Sequence, residues 1–303
     1  MSSCTDRAEV RGQAKRRRHM KTVAVTGGSG KLGSEVVRQL KEAEFDVVSL
    51  DSRISDKLPC RQLQVDMNDL GQVMSALRGA EGIVHLAAIP APVGFPHNHI
   101  FAINVIGGFN ILEAASLLGI NRVVMGSSTS CYGFAWAEKP FAPAYLPVDE
   151  DHPHLAQEGY GLSKTLNEQT AAMFSRRSGL EVVSLRFSLI AAPQEHDHLR
   201  EAMKRPEAFR KILWSYVDLR DAAAACVLAL TAEGIQGAEV LNITGDDTLS
   251  ELDTAELVKN YYPEVKEFKK ELTGREPLFS NERAKRVLGW VPGYCCGNNY
   301  MDD

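Results

Sequence analysis

No stretch of this sequence reaches the roughly 18 uninterrupted apolar residues that a bilayer-spanning helix needs. The N-terminus also has no apolar core of the kind a secretory signal carries. Neither a membrane partner nor export is expected. Charge of one sign is not in excess either: 34 Lys and Arg stand against 39 Asp and Glu, a formal charge of −5 that offers nucleic acid no basic body to bind. The six cysteines show no C-x-x-C pairing, since Cys4, Cys60, Cys131 and Cys226 are scattered and Cys295 adjoins Cys296. No metal is expected from that spacing, and a reduced, cytoplasmic protein is the default reading.

What is present is material for a large core. The 303 residues are 44% apolar and 24% charged, enough for one large domain or two coupled ones. Residues 1–20 stand apart, with Arg7, Arg11 and the run Lys15-Arg16-Arg17-Arg18 but no apolar periodicity, and read as a disordered basic arm. Met20 directly precedes the first apolar run, so a chain starting there would still hold the whole fold.

Thr22-Val-Ala-Val-Thr26 has the make-up of a short buried strand, and Leu32, Val36, Val37 and Leu40 recur at helical spacing. Between them runs Thr26-Gly-Gly-Ser-Gly-Lys-Leu-Gly33. Its Gly27, Gly30 and Gly33 permit a tight turn, backbone approach to a pyrophosphate and close packing of the following helix. Gly27, Gly30, Lys31, Leu32 and Gly33 are therefore expected to contact a dinucleotide. A second apolar strand, Asp46-Val-Val-Ser-Leu-Asp51, ends in a carboxylate where such folds hold a ribose. Asp51 favours NAD, because a carboxylate repels the 2′-phosphate of NADP, although Arg53 keeps NADP open.

Strand and helix patterns continue to alternate: a strand near 61–66, a helix over 70–77, a strand over 82–86, a helix from about 100 to 118 and a strand over 122–125. A helix around Tyr160 comes next, then a strand over 181–185, a helix over 219–231 and a strand over 239–243. Such alternation implies an α/β fold of the Rossmann type, a doubly wound parallel sheet with helices on both faces. The expected division is a dinucleotide-binding core over 21–192 completed by 214–245, a small substrate-facing lobe from 193–213 and 246–294, and a tail over 295–303. The proline-rich loop between Gly133 and Glu158 is too long for a simple connector and is expected to line or cover the pocket.

Tyr160 and Lys164 lie four apart in Glu158-Gly-Tyr-Gly-Leu-Ser-Lys164, a spacing that puts both on one helix face. An ammonium beside a phenol favours the phenolate and pulls the tyrosine below its ordinary pKa of about 10. That yields a proton-transfer group usable near neutral pH.

Further patterns occur in order: Val65-Asp-Met67, His85-Leu-Ala-Ala88, Asn104-Val-Ile-Gly107, Gly126-Ser-Ser-Thr-Ser-Cys-Tyr-Gly133, Tyr216-Val-Asp-Leu-Arg-Asp221 and Leu288-Gly-Trp-Val-Pro292. With the glycine turn, Asp51 and the Tyr160/Lys164 pair, they make the sequence resemble the extended short-chain dehydrogenase/reductase family, the NAD-dependent epimerase/dehydratase group, over about residues 21–292. The resemblance implies that Tyr160 is the catalytic acid/base, that Lys164 holds the nicotinamide ribose while depressing the tyrosine, and that Ser128 hydrogen-bonds the reacting oxygen, with Ser127 a neighbouring contact. It also implies that Asp66 and Met67 meet the adenine, that Leu86, Ala87 and Ala88 lie against the cofactor, and that Asn104 serves the cofactor site or helix packing. A homodimer through the helices at 100–118 and 160–174 is a further expectation. His85 reads as a packed strand residue.

Two departures bear on the substrate. Nucleotide-sugar members of the family carry an asparagine where this sequence has Leu189, and the sugar-dehydratase branch needs an Asp-Glu pair where Thr129-Ser-Cys131 stands. What remains resembles compact uronate-dehydrogenase-like or sugar-epimerase-like members, with Arg200 as the candidate for a substrate carboxylate. The expected activity is oxidation of a sugar or sugar-acid hydroxyl with NAD. The alternatives are epimerisation on the same residues and a cofactor-sensing protein without turnover.

Overall fold

The computed structural model describes residues 20–296, so residues 1–19 of the basic arm and residues 297–303 of the tail lie outside the described residues. Within that range nine strands run in chain order: β1 (Thr22–Thr26), β2 (Asp46–Asp51), β3 (Arg61–Gln64), β4 (Gly82–His85), β5 (Arg122–Ser128), β6 (Glu181–Phe187), β7 (Leu189–Ala191), β8 (Tyr216–Asp218) and β9 (Ala238–Ile243). The eight α-helices of the same range are α1 (Lys31–Glu42), α2 (Leu70–Ala76), α3 (His97–Leu118), α4 (Gly159–Ser178), α5 (His196–Met203), α6 (Leu219–Thr231), α7 (Thr254–Tyr261) and α8 (Glu282–Leu288).

Seven strands form one sheet in the order β3-β2-β1-β4-β5-β6-β9, every pair parallel, and β7 pairs with β8 apart from it. This is the Rossmann-type doubly wound sheet that the alternating pattern predicts. Both faces are covered, as a parallel sheet requires. Successive side chains point to opposite faces, so Val23 and Val25 join the core beneath α1 and α6, whereas Ala24 joins the core beneath α2, α3 and α4. The strand order reverses between β1 and β4, and the crevice outside the strand ends at such a switch is where open α/β sheets take ligands.

Three differences from the sequence expectation matter for the site. β5 does not stop at Met125 but runs to Ser128, because β6 stays paired with it as far as Phe187. The loop after Gly133 does more than cover a pocket: Phe134, Leu146 and Val148 pack with Trp214, Leu257 and Phe279 in a third core. Conversely α8 and Trp290, expected in the small lobe, pack against α6 on the main sheet, where the Trp290 indole donates to the Asp221 carbonyl at 3.0 Å. Among the described helices, α3 is the one long and apolar enough to cross a membrane by length and composition, and half of that stretch is buried inside the protein, packed on α4.

Candidate active site

The glycine turn comes directly after β1. Gly27 has φ +69°, a conformation L side chains rarely adopt, and a Cβ at Gly33 would stand 2.1 Å from the Gly27 carbonyl oxygen. The helix therefore starts closer to the strand than any side chain would permit. α1 is N-capped by Gly30 with no side-chain hydrogen bond to its first amides, which leaves the positive end of the helix open for an anion. At the tip of β2, Asp51 accepts from the Ser29 amide at 2.9 Å and faces the same space.

That space is a cavity of about 1330 Å³. Its walls include Gly27, Gly30, Lys31, Leu32 and Gly33 of the turn, Asp51, Asp66 and Met67 on one side, Leu86, Ala87 and Ala88 after β4, and Ser127, Ser128, Tyr160 and Lys164 on the other side. Chain segments far apart in sequence are thus brought to one crevice. Residues 86–88 are also tied to β1, because the Thr26 hydroxyl accepts from the amides of Leu86 and Ala87, each at 3.2 Å. His85 is a packed strand residue bonded to Thr26 at 2.7 Å, and burial pushes its imidazole down to about 3, so it stays neutral.

Tyr160 is set by the start of α4. Glu158, the N-cap, accepts from the amides of Tyr160 and Gly161, and this cap fixes the first turn that carries the phenol. One turn on, the Lys164 ammonium donates to the Gly126 carbonyl of β5 at 2.7 Å and lies 5.6 Å from the centre of the tyrosine ring. The electrostatics differ from the sequence expectation. Burial pushes the Tyr160 phenol up to about 12, opposed by its hydrogen-bonding neighbour Ser128. Burial likewise pushes Lys164 down to about 8, opposed by Glu168. Desolvation is the largest influence on both groups, so the protein alone holds a neutral phenol beside an ammonium that gives up its proton more readily than usual.

Three expected site residues do not meet the cavity in the way their motifs imply. Ser127 lines it, but its hydroxyl donates to Glu168 at 2.6 Å, since neighbours along a strand face opposite ways and Ser128 takes the other side. Asn104 is buried and outside the lining. It donates to the Ile89 carbonyl and the Ser163 hydroxyl and accepts from the Ile89 amide, which fixes the loop after β4 and makes it a positioning residue. Arg200 is not among the lining residues either: it donates to Asp197 at 2.6 Å and to the Cys296 carbonyl at 3.1 Å, held by its own helix and by the segment after α8.

A buried group beneath the site belongs to none of the motifs that point to the crevice. Arg186 donates to both oxygens of Glu168, at 2.9 and 2.7 Å, and also to the Tyr132 hydroxyl, the Glu150 carbonyl and His154. Glu168 stands one turn beyond Lys164 on α4, so this pair braces the helix that carries the catalytic candidates. The signal for it in the sequence is the spacing of Tyr160, Lys164 and Glu168, four residues each.

The match to known proteins has the same outline. A family model described as NAD dependent epimerase/dehydratase matches residues 23–244. A UDP-glucose 4-epimerase of Corynebacterium glutamicum is 25% identical over 92% of this chain and 93% of its own length. A uronate dehydrogenase of Pseudomonas syringae pv. tomato is 30% identical over 54% of this chain, which spans 57% of that protein. Among solved structures, a short-chain dehydrogenase/reductase superfamily protein from Agrobacterium tumefaciens with bound NAD has a TM-score of 0.70 at 24% identity, covering 91% of this chain and 93% of that one.

Proposed function

Because the chain belongs to the NAD-dependent epimerase/dehydratase family, we propose that it is an NAD-dependent oxidoreductase acting on a hydroxyl of a polyhydroxylated small molecule through Ser128, Tyr160 and Lys164. One observation carries the reading: these three side chains line the same cavity as the glycine turn and Asp51. The residues fit the cofactor. The turn leaves no room for a side chain at Gly33, the start of α1 with no side-chain cap on its amides suits a pyrophosphate, and Asp51 can accept from a ribose hydroxyl while repelling a 2′-phosphate.

NAD, when bound, supplies the acceptor for the hydride that leaves the carbinol carbon. Tyr160, once ionised, takes the proton of the reacting hydroxyl as phenolate, and Ser128 holds the same oxygen by a hydrogen bond. Lys164, anchored on Gly126, keeps positive charge near the phenol as it ionises. Burial of all three keeps bulk water from competing for the proton.

A second reading, epimerisation on the same residues, is favoured by the end-to-end alignment with a UDP-glucose 4-epimerase. Incubation with NAD and a panel of free and nucleotide-linked sugars separates the two. Net NADH formation on a free sugar is the expected result. A stereoisomer formed without NADH assigns the epimerase. Tight NAD binding with neither product would leave a cofactor-sensing protein instead.

A further inference from the structure

The substrate end of the cavity carries more information than the motifs do. Ser128 is the register partner of Phe187, and the chain leaves the sheet there, with the Thr129 hydroxyl on the Phe187 carbonyl at 3.4 Å. The four residues from Phe187 to Ile190 therefore run beside the Ser128 hydroxyl. All four line the cavity, and Trp136 and Ile212 line it too. Leu189 is 39% exposed and Trp136 is 42% exposed, so this part of the cavity wall carries large apolar side chains that solvent still reaches.

The cations of the cavity are either already paired or lie at its other end. Among the described residues lining the cavity they are Lys31, Arg53 and Lys164. Lys31 pairs with Glu195 and donates to the Ile190 carbonyl. Arg53 comes after Asp51 at the opposite, ribose end, and Lys164 is held on Gly126 beside the phenol. Arg186, adjacent to Phe187, is spent on Glu168 and its neighbours, and Arg200 is held by Asp197 and Cys296. A carboxylate or diphosphate brought against Leu189, Ile212 and Trp136 would meet apolar surface, and would have to compete with Glu195 for Lys31, the cation bonded at Ile190.

Resting on the oxidoreductase reading of this site, we propose that its substrate class is an uncharged hydroxyl compound with an apolar face, laid against Leu189, Ile212 and Trp136. Anionic sugar acids and nucleotide-diphosphate sugars are discriminated against. The apolar wall gives an anion no donor in exchange for its water, and part of the wall stays wet, so the neutral compound is expected to bind about tenfold more tightly than its acid.

Calorimetric titration of the NAD-saturated full chain tests this without needing turnover. The probes are the pairs 1-phenylethane-1,2-diol against mandelate and galactose against galacturonate, with UDP-galactose added. The neutral member should bind more tightly in both pairs, and Leu189→Arg should reverse the order by giving the acid a partner. Tighter binding of either acid or of UDP-galactose to the wild type overturns the proposal, as does the absence of binding by both neutral members. Neutral compounds that bind more tightly but yield neither NADH nor a stereoisomer would sink the oxidoreductase reading and leave only the preference for a neutral ligand standing.

Discussion

Tyr160→Phe is expected to lower turnover by a factor of about 10³, within the usual range for loss of a positioned general acid or base, while NAD affinity stays within a few-fold of the wild type. The substitution removes one oxygen from a buried ring and leaves the cap by Glu158, the Gly126 contact of Lys164 and the glycine turn untouched. Loss of rate without loss of cofactor binding is the pattern of a group that works only in the reaction. Steady-state rates and calorimetric NAD titration on the same preparation make the check. A variant that keeps the wild-type rate would remove Tyr160 from the chemistry, and one that loses NAD binding in step with rate would make it a structural residue.

Arg186→Met should cost about 3–5 kcal/mol of folding stability, the usual penalty for breaking a buried ion pair from one side. Both side chains are almost fully enclosed, 3% and 6% exposed. Without the guanidinium, Glu168 keeps only the Ser127 hydroxyl, and the Tyr132 hydroxyl and Glu150 carbonyl each lose a donor. The double variant Arg186→Met/Glu168→Met should recover more than half of the loss, because an apolar pair leaves no stranded charge. Urea unfolding of the three proteins reads the difference directly. Equal stability of the single variant and the wild type would mean the pair braces nothing.

Much of the fold is legible without coordinates. The apolar runs of β1 and β2 mark the sheet, and a glycine turn between a strand and a helix marks where the crevice lies. Parity is the harder matter. Ser127 and Ser128 are chemically alike; the resemblance picks Ser128, and the extension of β5 by three residues, held by pairing to β6, is what turns that hydroxyl to the phenol. Arg200 is a candidate by residue type, but type has no direction, and the fold turns it toward Asp197. The core under the 133–158 loop is invisible in the sequence because its members, from Tyr132 to Phe279, have no common period and meet only once the chain has folded. The tyrosine's ionisation escapes a sequence-based expectation for a related reason: the spacing reveals the neighbouring ammonium but not the burial that is the largest influence on both groups.

With Tyr160 raised to about 12 by burial, the charge that frees its proton must come with the cofactor, since an oxidised nicotinamide adds a positive charge to the pocket. Ultraviolet difference spectroscopy of tyrosinate at about pH 9, one unit below an ordinary tyrosine, measures this on the wild type and Tyr160→Phe, each with and without saturating NAD. The expected result is a tyrosinate signal that appears only when NAD is added and only in the wild type. An NAD-induced signal of equal size in Tyr160→Phe, or none in either protein, would contradict the assignment of Tyr160 as the proton acceptor.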